Sequence, residues 1–189
     1  MGKVVTILTH RLLMEEVVME DLTQIHHLHS TKEVDEFNTL GIPKNRDVTK
    51  ALIIEIIENQ KVDPQQQYHL KVCLSKSNEF VGMAGISLSR DKYNIGEIYY
   101  KLLPQFWGKG FATEIATNLL EYGFKVFKLH KIEAGVATEN VQSIRILEKI
   151  GMTREGLRRK ILPIRGKWKD NYHYGILDED PRPPQNSSG

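Results

Sequence analysis

The spacing of apolar and polar positions changes period several times along the chain, and each change marks an element. Residues 11–17 predict a first strand, and 20–29 a helix whose opening carboxylates, Glu20 and Asp21, sit at the favourable end of its dipole. A polar stretch with Gly41 and Pro43 follows. Residues 47–59 predict a second helix, N-capped by Asp47, on the apolar positions Ala51, Leu52, Ile53, Ile56 and Ile57. Strands over 68–74 and 79–88 flank the turn-rich Ser75-Lys76-Ser77-Asn78, and a strand over 95–102 stops before Pro104. Ile115, Leu119, Leu120 and Phe124 then fall on one stripe of a helix over 111–127. A strand over 131–136, a helix over 141–150 closed by Gly151, and two strands near 153–161 and 169–177 complete the pattern.

This order predicts an α/β (α+β) protein: a mixed, mostly antiparallel central sheet of about six to seven strands flanked by helices. Consecutive central strands pair antiparallel, while the helix over 111–127 brings the 131–136 strand back parallel to the 95–102 strand. With no internal repeat and no linker, residues 1–179 read as one domain. The proline-rich tail at 180–189, with Pro181, Pro183 and Pro184, reads as disordered.

Composition narrows the classes. The 189 residues are 40% hydrophobic and 26% charged, as in ordinary globular chains, and the net charge of +2 gives no field that would favour nucleic acid. The lone Cys73 excludes an intrachain disulfide, no Cys/His spacing resembles a zinc site, and a reducing cytoplasm is the expected compartment. No apolar run reaches the roughly 20 residues needed to span a bilayer. Gly2 with Thr6 fits the loose myristoylation pattern, although an ordinary start followed by a strand is the simpler reading.

The informative segment is Gln105-Phe106-Trp107-Gly108-Lys109-Gly110-Phe111-Ala112, between a strand and a helix. Two glycines two apart let backbone N–H groups converge, and the following helix points its positive end at the same spot. That makes an anion site suited to a pyrophosphate. A Walker A loop is absent, and a dinucleotide fingerprint fails because Thr113 stands at its third glycine. Gln105, Gly108 and Gly110 fill a third pattern, Q/R-x-x-G-x-G/A. The bland alternative is a glycine turn that merely caps a helix.

From Thr9-His10-Arg11-Leu12 to Tyr174 the chain resembles the GNAT superfamily of N-acetyltransferases, and within it the ribosomal-protein N-terminal acetyltransferase-like (RimJ/RimL-like) group. The resemblance rests on Trp107-Gly108-Lys109-Gly110-Phe111-Ala112-Thr113-Glu114, on Asn140-Val141-Gln142-Ser143 with Glu148-Lys149-Ile150-Gly151-Met152, on Gly156, and on the spacing from Asp170 to Tyr174. It implies the acyl-CoA N-acyltransferase fold, with acetyl-CoA in a cleft where two central strands splay, helped by a bulge in the 95–102 strand. The main chain of Leu102 and Leu103 would then pair with the pantetheine arm, and N–H groups from Phe106 to Ala112 would take the pyrophosphate. Lys109 either adds charge near a phosphate or is a solvated loop lysine.

Amide formation needs a neutral amine, a polarised carbonyl and a proton for the leaving thiolate. A lysine amine at about 10.4 is roughly one part in a thousand neutral at pH 7, whereas an α-amino group at about 7.7–8.0 is a tenth or more neutral. An N-terminal acceptor therefore asks less of a base. Glu97 is the candidate base, against an exposed strand carboxylate as the alternative. By resemblance, Ser143 is the candidate proton donor and Asn140 a ligand of the CoA arm; both residues also suit plain helix-start hydrogen bonding. Tyr99 stands where the group usually has glycine, and with Tyr100, Trp168 and Tyr172 it is assigned to the acceptor pocket. His26, His27 and His29 read as surface residues. The reading is thus an acetyl-CoA-dependent N-acetyltransferase, monomer or homodimer, acting on a protein N-terminus or a small amine without a metal. A polyamine or antibiotic acetyltransferase and a non-catalytic acyl-CoA-binding module are the alternatives.

Overall fold

A computed structural model describes residues 5–89 and 92–183; Gly2 and the residues after Pro183 lie outside them. The strands are β1 (Thr6–Leu8), β2 (Leu12–Glu16), β3 (Gln67–Leu74), β4 (Phe80–Leu88), β5 (Ile95–Leu102), β6 (Lys131–Ala137), β7 (Thr153–Ile164) and β8 (Lys167–Leu177). They form one sheet in the order β1-β2-β3-β4-β5-β6-β8-β7. Every pairing is antiparallel except β5 with β6, which is parallel. That exception follows from the crossover through a helix, as the pattern predicts.

The helices are α1 (Leu22–Ser30), α2 (Lys32–Asp35), α3 (Arg46–Gln60), α4 (Phe111–Lys125) and α5 (Val141–Lys149). Asn45, not Asp47, caps α3: its side chain accepts from the Val48 N–H at 3.2 Å. On α4 the stripe Ile115, Leu119, Leu120 and Phe124 is buried, and Gly123 lets the helix approach Ile86 of β4 and Ile132 of β6. Side chains alternate along strands, so α4 covers the face carrying Gly96, Ile98, Tyr100 and Leu102 of β5. Glu97, Tyr99 and Lys101 belong to the other face, where α1 and α3 pack, with α2 against α1.

Three expectations shift. The sheet has eight strands, because the short β1 pairs with β2. β7 runs to Ile164 because Arg165 and Gly166, at φ 48° and 72°, make a two-residue hairpin turn. Pro163 is tolerated there because β7 is an edge strand. Finally, the start of the expected tail is docked: Arg182 lies 4.4 Å from the Phe124 ring centre, and Asp180 accepts from the Leu177 N–H at 2.8 Å.

Candidate active site

β5 and β6 run side by side for three residue pairs only, ending at Glu97↔Glu133. Beyond that point β5 follows β4 as far as Leu102↔Gly82, while β6 follows β8 as far as Ala137↔Asn171. The strands part in mid-sheet, and a cleft of about 960 Å³ fills the fork. No bulge opens it: the β4–β5 register is unbroken from Leu88↔Gly96 to Gly82↔Leu102. The fork comes from each strand keeping its other partner, without an extra residue.

The main chain at the fork differs from expectation by one residue. Leu103 N–H donates to the Val81 carbonyl at 3.0 Å, and Ser89 N–H to the Ile95 carbonyl at 2.8 Å. Bonding alternates along an antiparallel ladder, so odd-numbered β5 residues turn their backbone groups toward β4. Leu103 is therefore committed to β4. Tyr100 and Leu102 turn theirs toward the fork, although the Leu102 carbonyl already accepts the Trp107 indole N–H at 2.8 Å. Among the described residues, the Leu102 N–H and both main-chain groups of Tyr100 are left without a strand partner.

At the mouth of the fork lies the glycine loop. Gly108 and Gly110 adopt φ 71° and 78°, a region that costs other residues about 1–2 kcal/mol. A Cβ on Gly108 would meet nothing within 4 Å, and one on Gly110 only the Arg11 guanidinium at 3.4 Å. The chain thus leaves open the space in front of the loop, at the N-terminal end of α4. Phe106, Trp107, Gly108, Gly110, Phe111 and Ala112 line the cleft. Gln105 and Lys109 are exposed and Leu103 is buried, and none of the three lines it.

A clamp that sequence reasoning missed fixes this loop. Arg11, just before β2, pairs with Glu114 at 2.7 Å, donates to the Lys109 carbonyl at 3.0 Å and stacks 4.3 Å from the Phe111 ring centre. Glu114 also accepts from Thr9 Oγ1 and from the Arg11 N–H. Burial works to raise the Glu114 pKa, but the hydrogen bonds from Thr9 and Arg11 outweigh it and hold the carboxyl below its ordinary value. The Arg11 charge also offsets an acid that would otherwise repel a phosphate.

Deeper in, Asn140 caps α5, accepting from the Ser143 N–H at 3.1 Å, and both residues line the cleft. Burial pushes the Tyr100 phenol up to about 12, with a side-chain hydrogen bond to Ser143 pulling the other way. The phenol is therefore protonated at neutral pH. On the opposite face, burial raises the Tyr99 phenol, which bonds to His69 Nδ1 at 2.7 Å. Its bulk is accommodated by Gly85, directly across on β4, where a Cβ would collide with the ring.

The remaining assigned residues lie elsewhere. Glu97 is exposed at the closed end of the fork, outside the cleft lining. Trp168 is 61% exposed near the β7–β8 turn, and Tyr172 stacks against Arg154, 4.6 Å from its ring centre. Neither lines the cleft. His29 is a correction of another kind: it is buried, and burial, then Lys101 and His26, lower its pKa to about 3. It follows Ile25 by one turn and joins that apolar stripe.

Lys101 was not singled out by sequence reasoning, although a charged residue inside Tyr-Tyr-Lys-Leu-Leu on a central strand is the signal that could have found it. It lines the cleft beside Tyr99, and burial lowers its pKa to about 8 against the smaller opposing pull of Asp35.

A forked sheet with a glycine cradle at its mouth and hydroxyl donors inside suits an extended, phosphate-bearing donor laid into the fork. The family described as an acetyltransferase (GNAT) domain matches residues 11–153. The N-acetyltransferase YnaD of Bacillus subtilis, described as uncharacterized, is 33% identical over 178 residues, covering 92% of this chain and 98% of that protein. The crystal structure of a GNAT-family acetyltransferase from Bacillus anthracis superposes with a TM-score of 0.79 at 31% identity, covering 93% and 100% of the two chains. The chain belongs to the GNAT acetyltransferase family. Two further structures share the fold at lower identity. Ribosomal-protein-S5-alanine acetyltransferase from Vibrio fischeri has a TM-score of 0.79 at 20%, covering 95% of this chain and 100% of that one. Spermidine N-acetyltransferase from Vibrio cholerae, in complex with CoA and spermine, has 0.76 at 22%, covering 89% and 96%. Acetyl-CoA fits the cleft as acyl donor: the open cradle leaves room for a pyrophosphate, and the main-chain groups of Tyr100 with the Leu102 N–H are free to hydrogen-bond an extended amide arm. Among the described residues, no helix is long and apolar enough to cross a membrane.

Proposed function

We propose that this enzyme transfers acetyl from acetyl-CoA to a protein N-terminal α-amino group by direct attack in a ternary complex, in the cytoplasm where that donor is made. The observation that carries the reading is the fork itself, with its open glycine cradle at one end and the Ser143–Tyr100 hydroxyl pair inside. The cradle and the α4 N-terminus hold the pyrophosphate, and Tyr100 and Leu102 hold the arm through their main chains. Asn140 orients the first turn of α5, so that Ser143 gives its proton to the departing thiolate with the Tyr100 phenol behind it. The incoming amine comes from the α2 side. An α-amino group with a pKa of about 7.7–8.0 is already partly neutral, so its proton can leave to water in the open cleft. With Glu97 outside that cleft, a carboxylate base is not part of this reading.

One observation favours a second acceptor class. Glu33 and Glu36, at α2, line the acceptor end and would attract a polycation such as a polyamine. Thiol release from acetyl-CoA, measured with peptides of free N-terminus and in parallel with spermidine and spermine, decides between them. Turnover of the peptides at a kcat/KM at least tenfold above that of the polyamines supports the first reading. The reverse order installs the second.

A further inference from the structure

Two lysines line the cleft: Lys149 is exposed on α5, and Lys101 sits on the forked strand itself. Lys71, Lys131 and Lys169 of the neighbouring strands all pair with carboxylates. No hydrogen bond or ion pair among the described residues engages the Lys101 ammonium, although the residue is deep-set in the cleft wall. The carboxylate that acts on it, Asp35, is buried and pairs with Arg165 through Oδ2 at 3.3 Å, while its Oδ1 has no hydrogen-bond partner among the described residues. Strand alternation then places its side chain well. Tyr100 points to the α5 face, where Ser143 lies, and Lys101 points to the α2 face, from which an acceptor enters. A donor whose arm follows the Tyr100 and Leu102 main chain carries its thioester between these two side chains, within reach of a flexible four-carbon stem.

We propose that Lys101 is an internal acceptor: with acetyl-CoA bound and no external amine present, its Nζ takes the acetyl group and becomes an acetamide in the acceptor end of the cleft. The inference rests on the acetyl-CoA reading of the fork. The neutral Nζ attacks the thioester carbonyl carbon. The C–N bond forms, the C–S bond breaks, and the amine proton ends on the thiolate, giving CoA thiol and Nε-acetyl-Lys101. No further reactant is needed.

The surroundings favour a neutral amine. Burial lowers the Lys101 pKa to about 8. The groups facing it are His29 of α1 and His69 of β3, both with pKa values lowered first by burial and then by Lys101, and Tyr99, whose phenol stays protonated. Asp35 is the carboxylate that opposes the shift, its own charge shared with Arg165; Glu33 and Glu36, at α2, line the same cleft. About a tenth of Lys101 is neutral at pH 7, against under a thousandth for an ordinary lysine. Once acetylated, the side chain is neutral and longer, and it occupies the space an external amine needs.

The test incubates the full chain with acetyl-CoA and no amine across pH 6 to 9, then reads intact mass and maps the modified peptide. One acetyl group per chain, at Lys101, is expected. Its rate should rise about fifty-fold from pH 6 to pH 8 and then level off within about twofold, where an ordinary lysine keeps climbing. Lys101→Arg should abolish the mass gain while the thermal shift with CoA persists. A normal CoA shift with no acetyl on Lys101 overturns the proposal. So does labelling at the same rate in the heat-unfolded chain, which marks solution chemistry. Loss of the CoA shift in the unmodified protein overturns the donor reading and this proposal with it.

Discussion

Ser143 lies in the first turn of α5 with its N–H fixed by Asn140 and its hydroxyl beside Tyr100. General acid catalysis is typically worth about 10² to 10⁴-fold. Ser143→Ala should lower kcat toward the small end of that range, because Tyr100 and water remain as donors, and should leave the KM for acetyl-CoA within about twofold. Steady-state thiol release measures both. Glu97→Gln is the contrasting variant: an exposed carboxylate off the cleft should change kcat by less than about twofold at any pH, and a hundred-fold loss would return it to the mechanism. The residue types were legible where they belong to a local pattern, as with Asn140 and Ser143 at a helix start. They were not legible where a contact crosses the sheet. Nothing in the chain order says that Gly85 faces Tyr99, or that Glu97 sits one residue before the strands part.

At the scale of elements, the glycine loop was the most readable part of the molecule, since turn chemistry is local. Gly110→Val forces a β-branched residue to φ 78° and places methyl groups in the cradle. The fold should survive with a Tm loss of a few degrees, while CoA affinity by calorimetry falls at least tenfold; an unchanged affinity in a folded variant removes the phosphate assignment. The clamp behind the loop spans a sequence separation of 103 residues, and for that reason no pattern revealed it. It has a pH signature. The folded Glu114 pKa is depressed, so its contribution is complete above the unfolded carboxylate value of about 4.3 and is lost as pH falls through the lower folded value. Melting curves from pH 7 to pH 3 should show Glu114→Gln losing less stability in the acid range than the unsubstituted chain. Parallel curves would mean that Glu114 is not held as described. Element boundaries failed where tertiary context decided them: β7 outruns its pattern because its partner β8 carries it to the turn.

For the whole molecule, the buried His29 sets a second pH limit. Folding lowers its pKa from about 6.5 to about 3, so below pH 6.5 the unfolded chain binds a proton that the folded chain refuses. Stability from this source is intact above pH 6.5 and declines steadily as pH falls toward 3, a window that begins higher than that of Glu114. His29→Gln cannot take up that proton, so its Tm should be flatter between pH 6.5 and 5, whatever its absolute value. Equal slopes in this interval would place the acid lability elsewhere. The layered arrangement and the single parallel pair were legible because strand order follows from connection lengths. The burial of His29 was not, since an imidazole next to an apolar stripe reads the same whether the sheet covers it or solvent does.

The fork divides the eight strands into blocks of five and three that share only three residue pairs. The sheet therefore carries an internal pair of selvedges, and a donor arm bonded to both would stitch them as a surrogate strand. Binding would then be mechanical as well as chemical: the donor completes the floor on which the acceptor must rest, which imposes an order of donor first and amine second. Amide exchange should register the seam closing. The N–H groups of Tyr100 and Leu102 should slow at least tenfold when CoA is added, while those of β3 and β2, two and three strands away, keep their rates. Slowing spread evenly over the sheet would instead mean that the two blocks were already one slab before the donor arrived.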